Sequence, residues 1–167
     1  GIVGESTFDR LRHLRQVHPE TLPAGIPDRM DGYVGRNSLP GLRVSIDPAH
    51  GGVDAGVVGV DGLVEKDVNL RLGLELNGLL ESLGALTMLT RADDVESDAY
   101  ERIEAVNAWG PDIHVSLHHS CNPSRRAQGA AAYYFANNDH QSRGGRRLAG
   151  YIVSSLHNEL GRVDLHK

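Results

Sequence analysis

Three residues of zinc-binding types stand where predicted strands end or a predicted helix begins. His50 lies in a glycine-rich segment after one strand, Glu65 lies at the start of a helix, and His118 follows another strand. Two imidazole nitrogens and one carboxylate oxygen can hold a tetrahedral zinc ion while leaving its fourth position open to water. Because an open position allows the metal to activate water, the sequence predicts a hydrolytic metal centre.

The candidate ligands and the residues beside them also have interpretations that involve no metal. A histidine after a strand is often a turn or surface residue, and Glu65 would be favourable near the positive end of a helix without any metal. The carboxylate of Asp54 could orient the His50 imidazole, or it could close an Asx-type turn. Glycines at positions 51, 52 and 56 would let the backbone approach an ion or a substrate closely.

Strand alternation indicates on which side of the predicted strand the neighbouring histidines lie. His114 and His118 fall on the polar face of the predicted strand, so His118 leaves the strand end on the side of the expected cleft. His119 is a candidate for a substrate contact or for support of a metal ligand, or it is an exposed residue. The opposite face is predicted to be buried because it carries only aliphatic residues, Ile113, Val115 and Leu117.

The elements that would position these residues alternate between strands and helices. This alternation predicts an α/β fold with a largely parallel sheet and helices on both faces. In such sheets ligands bind beyond the carboxyl ends of the strands, where His50 and His118 are expected. Strands are predicted over residues 42–47, 85–90, 112–117 and 129–136, and helices over residues 67–83, 98–109 and 142–160.

Local signals refine three of the helices. Asp67 is predicted to cap the first, Asp98 with Glu101 forms a capping box for the second, and Ser142 opens the third. In the first helix, one apolar stripe is predicted from Leu72, Leu76, Leu79, Leu80 and Leu83. Before these elements, residues 1–16 are predicted to form a short helix capped by Ser6, and the Pro- and Gly-rich residues 17–41 a linker, so that residues 42–167 form the main domain.

Composition excludes several classes of function. A net charge of −5 and a pI near 6.0 give no global attraction to nucleic acid or to an anionic membrane. No run of about 18 apolar residues is present, so no membrane span is predicted. A single cysteine, Cys121, excludes an internal disulfide and any cysteine-rich metal site.

Five motifs, in this order, resemble those of the zinc-dependent N-acetylmuramoyl-L-alanine amidases. The first is DPAHGGVDAG at residues 47–56, where the family has D-P-G-H-G-G-x-D-x-G. The resemblance extends over about residues 42–161. The other four are EKD at 65–67, TRADD at 90–94, Arg102 with VNA at 106–108, and SLHHS at 116–120.

The resemblance implies a zinc ion held by His50, Glu65 and His118. It also implies hydrolysis of the amide between N-acetylmuramic acid and L-alanine, with peptidoglycan or a muramoyl-peptide as substrate. Asp54, His119 and Ser120 are expected to support the ligands or contact the substrate. The location implied is the cell envelope or the exterior, and protein regulators are possible partners.

The chain departs from the family at three points. Ala49 replaces a glycine, which is tolerable if its φ is negative, and Ser120 replaces an asparagine. The family's acid/base glutamate, on a further strand, has no counterpart in this sequence, so no catalytic residue is assigned. The chain is therefore expected to lack C-terminal strands of the domain, and residues 1–16 resemble the remnant of a peptidoglycan-binding repeat. The alternative function is that of a non-catalytic peptidoglycan-binding or regulatory relative.

Overall fold

A computed structural model of the chain describes residues 14–16, 38–59, 62–120, 129–136 and 141–160, with the backbone alone at 14–16, 159 and 160. The chain divides into two compact units, residues 35–121 and the flanking residues 1–34 with 122–167. His50, Glu65 and His118 all belong to the first unit. In chain order the described elements are β1 (Leu14–Gln16), β2 (Arg43–Pro48), α1 (Glu65–Ser82), β3 (Leu86–Leu89), α2 (Ala99–Trp109), β4 (Ile113–Leu117), β5 (Tyr133–Phe135) and α3 (Arg143–Leu160).

A parallel sheet with the strand order β3-β2-β4 forms the centre of the 35–121 unit. Ile46 of β2 lies opposite Leu89 of β3 and Val115 of β4. As the middle strand, β2 is covered on both faces, and Ile46 is completely buried. The prediction of a parallel α/β sheet is confirmed.

Helices α1 and α2 cover opposite faces of this sheet. Gly73 of α1 approaches Pro48 so closely that an added Cβ would lie 2.6 Å from the proline Cγ. Arg102 of α2 donates a hydrogen bond from Nε to the Asp47 carboxylate at 2.8 Å. Since successive side chains of a strand point to opposite faces, these contacts confirm helices on both faces.

The buried line along α1 differs from the predicted leucine stripe. It consists of Glu65, Asn69 and Gly73, spaced four residues apart. Leu72 and Leu79 are 42% and 58% exposed, so the predicted apolar stripe is not the buried face of α1. The reason is that the face of α1 turned towards the carboxyl end of the sheet carries the polar groups of the site and the glycine that admits Pro48.

Helix boundaries agree with the capping signals in two cases out of three. Asp98 and Glu101 form the predicted capping box of α2. At α3, the backbone N–H of Gly145 donates to Ser142 Oγ at 3.0 Å. At α1 the prediction is wrong, because the helix begins two residues before Asp67 and its N-cap position is Val64.

The second unit has a small sheet of its own. β1 and β5 pair antiparallel, with Leu14 opposite Phe135 and Gln16 opposite Tyr133. The predicted helix over residues 1–16 is therefore wrong at residues 14–16, whose backbone is extended because it pairs with β5. The rest of that helix, like residues 17–37 of the linker, lies outside the described residues, and the proposed domain boundaries stay a prediction. The described helices include none long and apolar enough to cross a membrane.

Candidate metal centre

The loop after β2 presents His50 through an unusual backbone. His50 has φ 67°, and it is the one non-glycine residue with positive φ among those that the structure describes. The residue before it, Ala49, thus lies outside the left-handed region, and the glycine-to-alanine difference from the family is sterically tolerable. At Gly56, which has φ 65°, a Cβ would lie 2.6 Å from Glu65 Oε2 and 2.7 Å from His50 Cδ2. The absence of a side chain there lets the loop close over the site.

The structure brings the three predicted ligand residues together. One nitrogen or oxygen atom from each of His50, Glu65 and His118 lies within 4.8 Å of the other two. Glu65 Oε1 is 3.3 Å from His50 Nε2 and 3.1 Å from His118 Nδ1. The two imidazole rings are nearly perpendicular, with their centroids 5.2 Å apart.

Glu65 is held as a buried carboxylate. It is 4% exposed, and it accepts hydrogen bonds from the backbone N–H of Val57 and of His119, each at 2.8 Å. Burial alone would raise the pKa of Glu65, but the bonds from His118, His50 and the two amides lower it well below its ordinary value. The oxygen between the imidazoles is therefore negatively charged at neutral pH.

Asp54 satisfies both interpretations drawn from the sequence. Its Oδ2 lies 2.8 Å from His50 Nδ1, and its Oδ1 accepts the backbone N–H of Gly56 at 3.1 Å, which is an Asx-type turn. The hydrogen bond to Glu65 raises the pKa of His50 to about 8, opposed by burial and assisted by Asp54. With Nδ1 engaged by Asp54, the Nε2 atom of His50 faces Glu65.

The other histidines near the site have separate partners. His114 Nδ1 lies 2.9 Å from the hydroxyl of Ser45 on the polar face of the sheet. His119 Nδ1 lies 2.7 Å from Oδ1 of Asn69. Ser120, the other predicted support or substrate contact, is exposed at the end of its described stretch. Of the histidines in this strand segment, His118 is the one whose ring contacts Glu65.

Arg91 anchors the site loop, and its role was not predicted. It is 3% exposed, and its guanidinium donates to the carbonyl oxygens of Pro48, Ala49, Lys66 and Asp93. These bonds tie the segment before His50 to the start of α1. The resemblance of the TRADD segment to the family was the only signal in the sequence that singled Arg91 out.

A salt bridge fixes the next part of the loop. Lys66 Nζ contacts Asp94 Oδ2 at 2.6 Å and the carbonyl oxygen of Gly52 at 2.8 Å, while the backbone N–H of Gly52 donates to Asp94 Oδ1 at 2.8 Å. The EKD and TRADD motifs therefore meet on the glycine-rich loop.

Asp47 joins the carboxyl ends of the three strands. Its carboxylate accepts hydrogen bonds from Thr90 Oγ1 at 2.7 Å, Ser116 Oγ at 2.7 Å and Arg102 Nε at 2.8 Å. Burial would raise the pKa of Asp47, but the two hydroxyl bonds and the Arg102 charge hold it below its ordinary value. This cluster fixes the strand ends from which His50 and His118 project.

The three-residue cluster fits a divalent metal with nitrogen and oxygen ligands. Bonds of 2.0–2.2 Å at a tetrahedral angle place ligand atoms about 3.4 Å apart, close to the two separations from Glu65 Oε1. Two imidazoles and one ionised carboxylate are the donor types that zinc accepts in catalytic sites. Nothing in this geometry requires a fourth protein ligand.

Comparison with known proteins gives a consistent result. A family model described as N-acetylmuramoyl-L-alanine amidase matches residues 44–166. The amidase LytC of Bacillus subtilis is 34% identical over 129 residues, which cover 77% of this chain and 25% of LytC. The amidase CwlM of Mycobacterium tuberculosis is 36% identical over 156 residues, which cover 91% of this chain and 38% of CwlM.

Solved structures agree with these relatives. An N-acetylmuramoyl-L-alanine amidase from Clostridium difficile 630 aligns with a TM-score of 0.61 at 26% identity, covering 75% of this chain and 68% of that one. AmiC2 of Nostoc punctiforme aligns with a TM-score of 0.50 at 37% identity, covering 53% of this chain and 49% of that one. Among the curated relatives, the chain spans well under two thirds of the length of LytC and of CwlM.

Proposed function

The chain belongs to the N-acetylmuramoyl-L-alanine amidase family, and from that premise we propose that it hydrolyses the amide between N-acetylmuramic acid and L-alanine in peptidoglycan with a zinc ion bound by His50, Glu65 and His118. The substrate class and an action at the cell envelope are part of the proposal. The observation that carries it is the convergence of these three side chains on one point beyond the strand ends.

The surrounding residues suit this role. When bound, zinc would supply a water of lowered pKa and polarise the scissile carbonyl. Asp54 holds His50 by Nδ1 and so leaves Nε2 facing Glu65, where it would bind the metal, as acceptors on the far nitrogen of a metal-binding histidine commonly do. The amides of Val57 and His119 hold the Glu65 carboxylate in place. Among the residues that the structure describes, we assign none as general acid or base.

Metal content tests the ligand set. Purified protein is expected to hold about one zinc per chain by elemental analysis, and His50→Ala or His118→Ala to lose it, because two ligands bind a divalent ion weakly. His157→Ala, in α3 and outside the cluster, is the matched control. One-to-one zinc in either ligand variant would contradict the assignment.

Substrate cleavage tests the reaction. Release of an L-alanine-bearing stem peptide from a muramoyl-peptide is expected, and a peptide of the same sequence without the muramoyl group should stay intact. Zinc with cleavage of both compounds would indicate a peptidase instead.

The alternative, a non-catalytic peptidoglycan-binding or regulatory relative, is no longer supported by Ala49. Ala49 is fully buried with an allowed backbone, and its carbonyl accepts hydrogen bonds from Asn69 and Arg91. Ser120 is a difference from the family that still favours it. Binding of a muramoyl-peptide without any release would favour this alternative.

A further inference from the structure

Asn69 links the segments that carry the two histidines of the metal centre. It lies on α1 one turn after Glu65 and is fully buried. Its Nδ2 donates to the carbonyl oxygen of Ala49 at 3.1 Å, and its Oδ1 lies 2.7 Å from Nδ1 of His119. Ala49 precedes His50, and His119 follows His118. The side-chain amide of Asn69 therefore contacts both segments that carry a histidine ligand.

These contacts determine the tautomer of His119. The Ala49 carbonyl can only accept, so the NH2 group of Asn69 must face it, and the opposite orientation would set two oxygens against each other. The Oδ1 atom of Asn69 then faces His119 and can only accept. Nδ1 of His119 must carry the hydrogen, and in the neutral ring Nε2 is left as a hydrogen-bond acceptor.

His119 is also fixed relative to the metal ligands. Its backbone N–H donates to Glu65 Oε1 at 2.8 Å, so its ring is attached directly beside the cluster. The residue is exposed although its Nδ1 contacts a fully buried amide. Because Nδ1 is engaged by Asn69, Nε2 is the ring nitrogen available to a bound substrate.

We propose that Asn69 and His119 form a substrate-positioning pair, in which Nε2 of His119 accepts a hydrogen bond from an amide N–H of the muramoyl-peptide. The inference rests on the proposed function and deepens it. A bare imidazole nitrogen pairs with N–H donors and disfavours carbonyl oxygens, and the peptide stem is a series of amide N–H groups. Asn69 acts through His119 and is a positioning residue.

The tautomer can be measured without any activity. Long-range ¹H–¹⁵N spectra of the zinc-loaded protein in mildly alkaline buffer report which nitrogen of the neutral imidazole is protonated. We expect His119 to be protonated at Nδ1, and Asn69→Ala to lose this preference. Protonation at Nε2 in the wild type would overturn the proposal. Addition of a muramoyl dipeptide should shift the Nε2 resonance in the direction of hydrogen-bond acceptance.

Two near-isosteric variants of His119 test the roles of its two ring nitrogens separately. His119→Asn keeps an amide near the Nδ1 position and removes the acceptor, whereas His119→Gln places an amide oxygen near the Nε2 position. Loss of one neutral hydrogen bond should raise KM about 3- to 10-fold in the His119→Asn variant with kcat little changed. The His119→Gln variant should recover much of that loss, and both should keep their zinc.

The outcomes distinguish a failure of the positioning pair from a failure of the proposed function. If the wild type binds or cleaves the muramoyl-peptide and His119→Asn behaves like it, the positioning pair is wrong and the amidase proposal stands. If the zinc-loaded wild type neither binds nor cleaves it, both fail. Loss of zinc in His119→Asn would instead show that the ring supports the metal and would also overturn the pair.

Discussion

Replacing Asp47 with asparagine removes a negative charge from the point where the ends of three strands are tied to α2. The wild-type carboxylate accepts hydrogen bonds from Thr90, Arg102 and Ser116. An asparagine oxygen can accept some of these bonds, but its NH2 group would point at one of the donors. The guanidinium of Arg102 would also lose its counter-charge.

The magnitude follows from the burial of the ion pair. The side chains of Asp47 and Arg102 are 10% and 11% exposed, so solvent screens their interaction weakly. Breaking a buried pair by removing one partner costs about 3–5 kcal/mol, and the hydrogen bonds that asparagine retains place the expected loss near the lower end, at about 3 kcal/mol. The matched control is Arg71→Ala, which breaks the exposed Arg71–Glu75 pair and should cost less than about 0.5 kcal/mol.

Urea unfolding followed by tryptophan fluorescence is the assay. Trp109, the only tryptophan of the chain, lies in the same unit as Asp47 and has the Arg43 guanidinium 4.1 Å from its ring centroid. Its emission therefore reports unfolding of the parallel-sheet unit.

The pH dependence gives an independent check. The pKa of Asp47 is lowered in the folded state, so its stabilisation is fully present above the ordinary value of 3.8 and is lost as the pH falls through the folded pKa. The difference in unfolding free energy between wild type and Asp47→Asn should therefore be constant near neutral pH and shrink below about pH 4. A cost under about 1 kcal/mol at neutral pH, or a difference that grows in acid, would refute the assigned role.

Three further predictions concern the loop and the helices. Gly56→Ala should lose stoichiometric zinc by elemental analysis with its circular dichroism unchanged, because the Cβ would meet Glu65 and His50, whereas Gly62→Ala, with φ 78° and nothing within 4 Å, should keep its metal. Arg91→Lys should lower both the thermal midpoint and the zinc affinity in a chelator competition, since one ammonium cannot contact four carbonyl oxygens; an unchanged affinity would exclude Arg91 from holding the loop. Asp98→Ala should cost about 1 kcal/mol in urea unfolding through loss of the capping box, and no measurable change would contradict it.

Local and periodic signals carried most of the correct predictions. The positions of His50 and His118 just after two predicted strands were readable from the sequence, and the parallel sheet then brought the ends of β2 and β4 together. The capping box at Asp98 needs only residues within one helical turn. The meeting of the three candidate ligands was therefore predictable, and metal binding itself stays a prediction.

Features that depend on distant partners were not predictable. Leu14–Gln16 is extended because it pairs with β5, more than 100 residues further on. The leucines of α1 repeat at helical spacing, but the pattern does not show that Asn69 and Gly73 take the buried face. The partners of Arg91 are backbone carbonyls, which every residue has, so nothing in the sequence indicates which ones it contacts.

The buried line of α1 limits which insertions and substitutions this helix can accept. Each inserted residue turns a helix by about 100° and lengthens it by about 1.5 Å. One insertion between Glu65 and Asn69 would keep the carboxylate in place but swing the amide away from Ala49 and His119, and would move Gly73 off Pro48. Substitutions on the exposed face of α1 can accumulate freely, whereas its length between residues 65 and 73 is fixed. A family alignment should show no gaps across this segment and variable residue types only at its exposed positions.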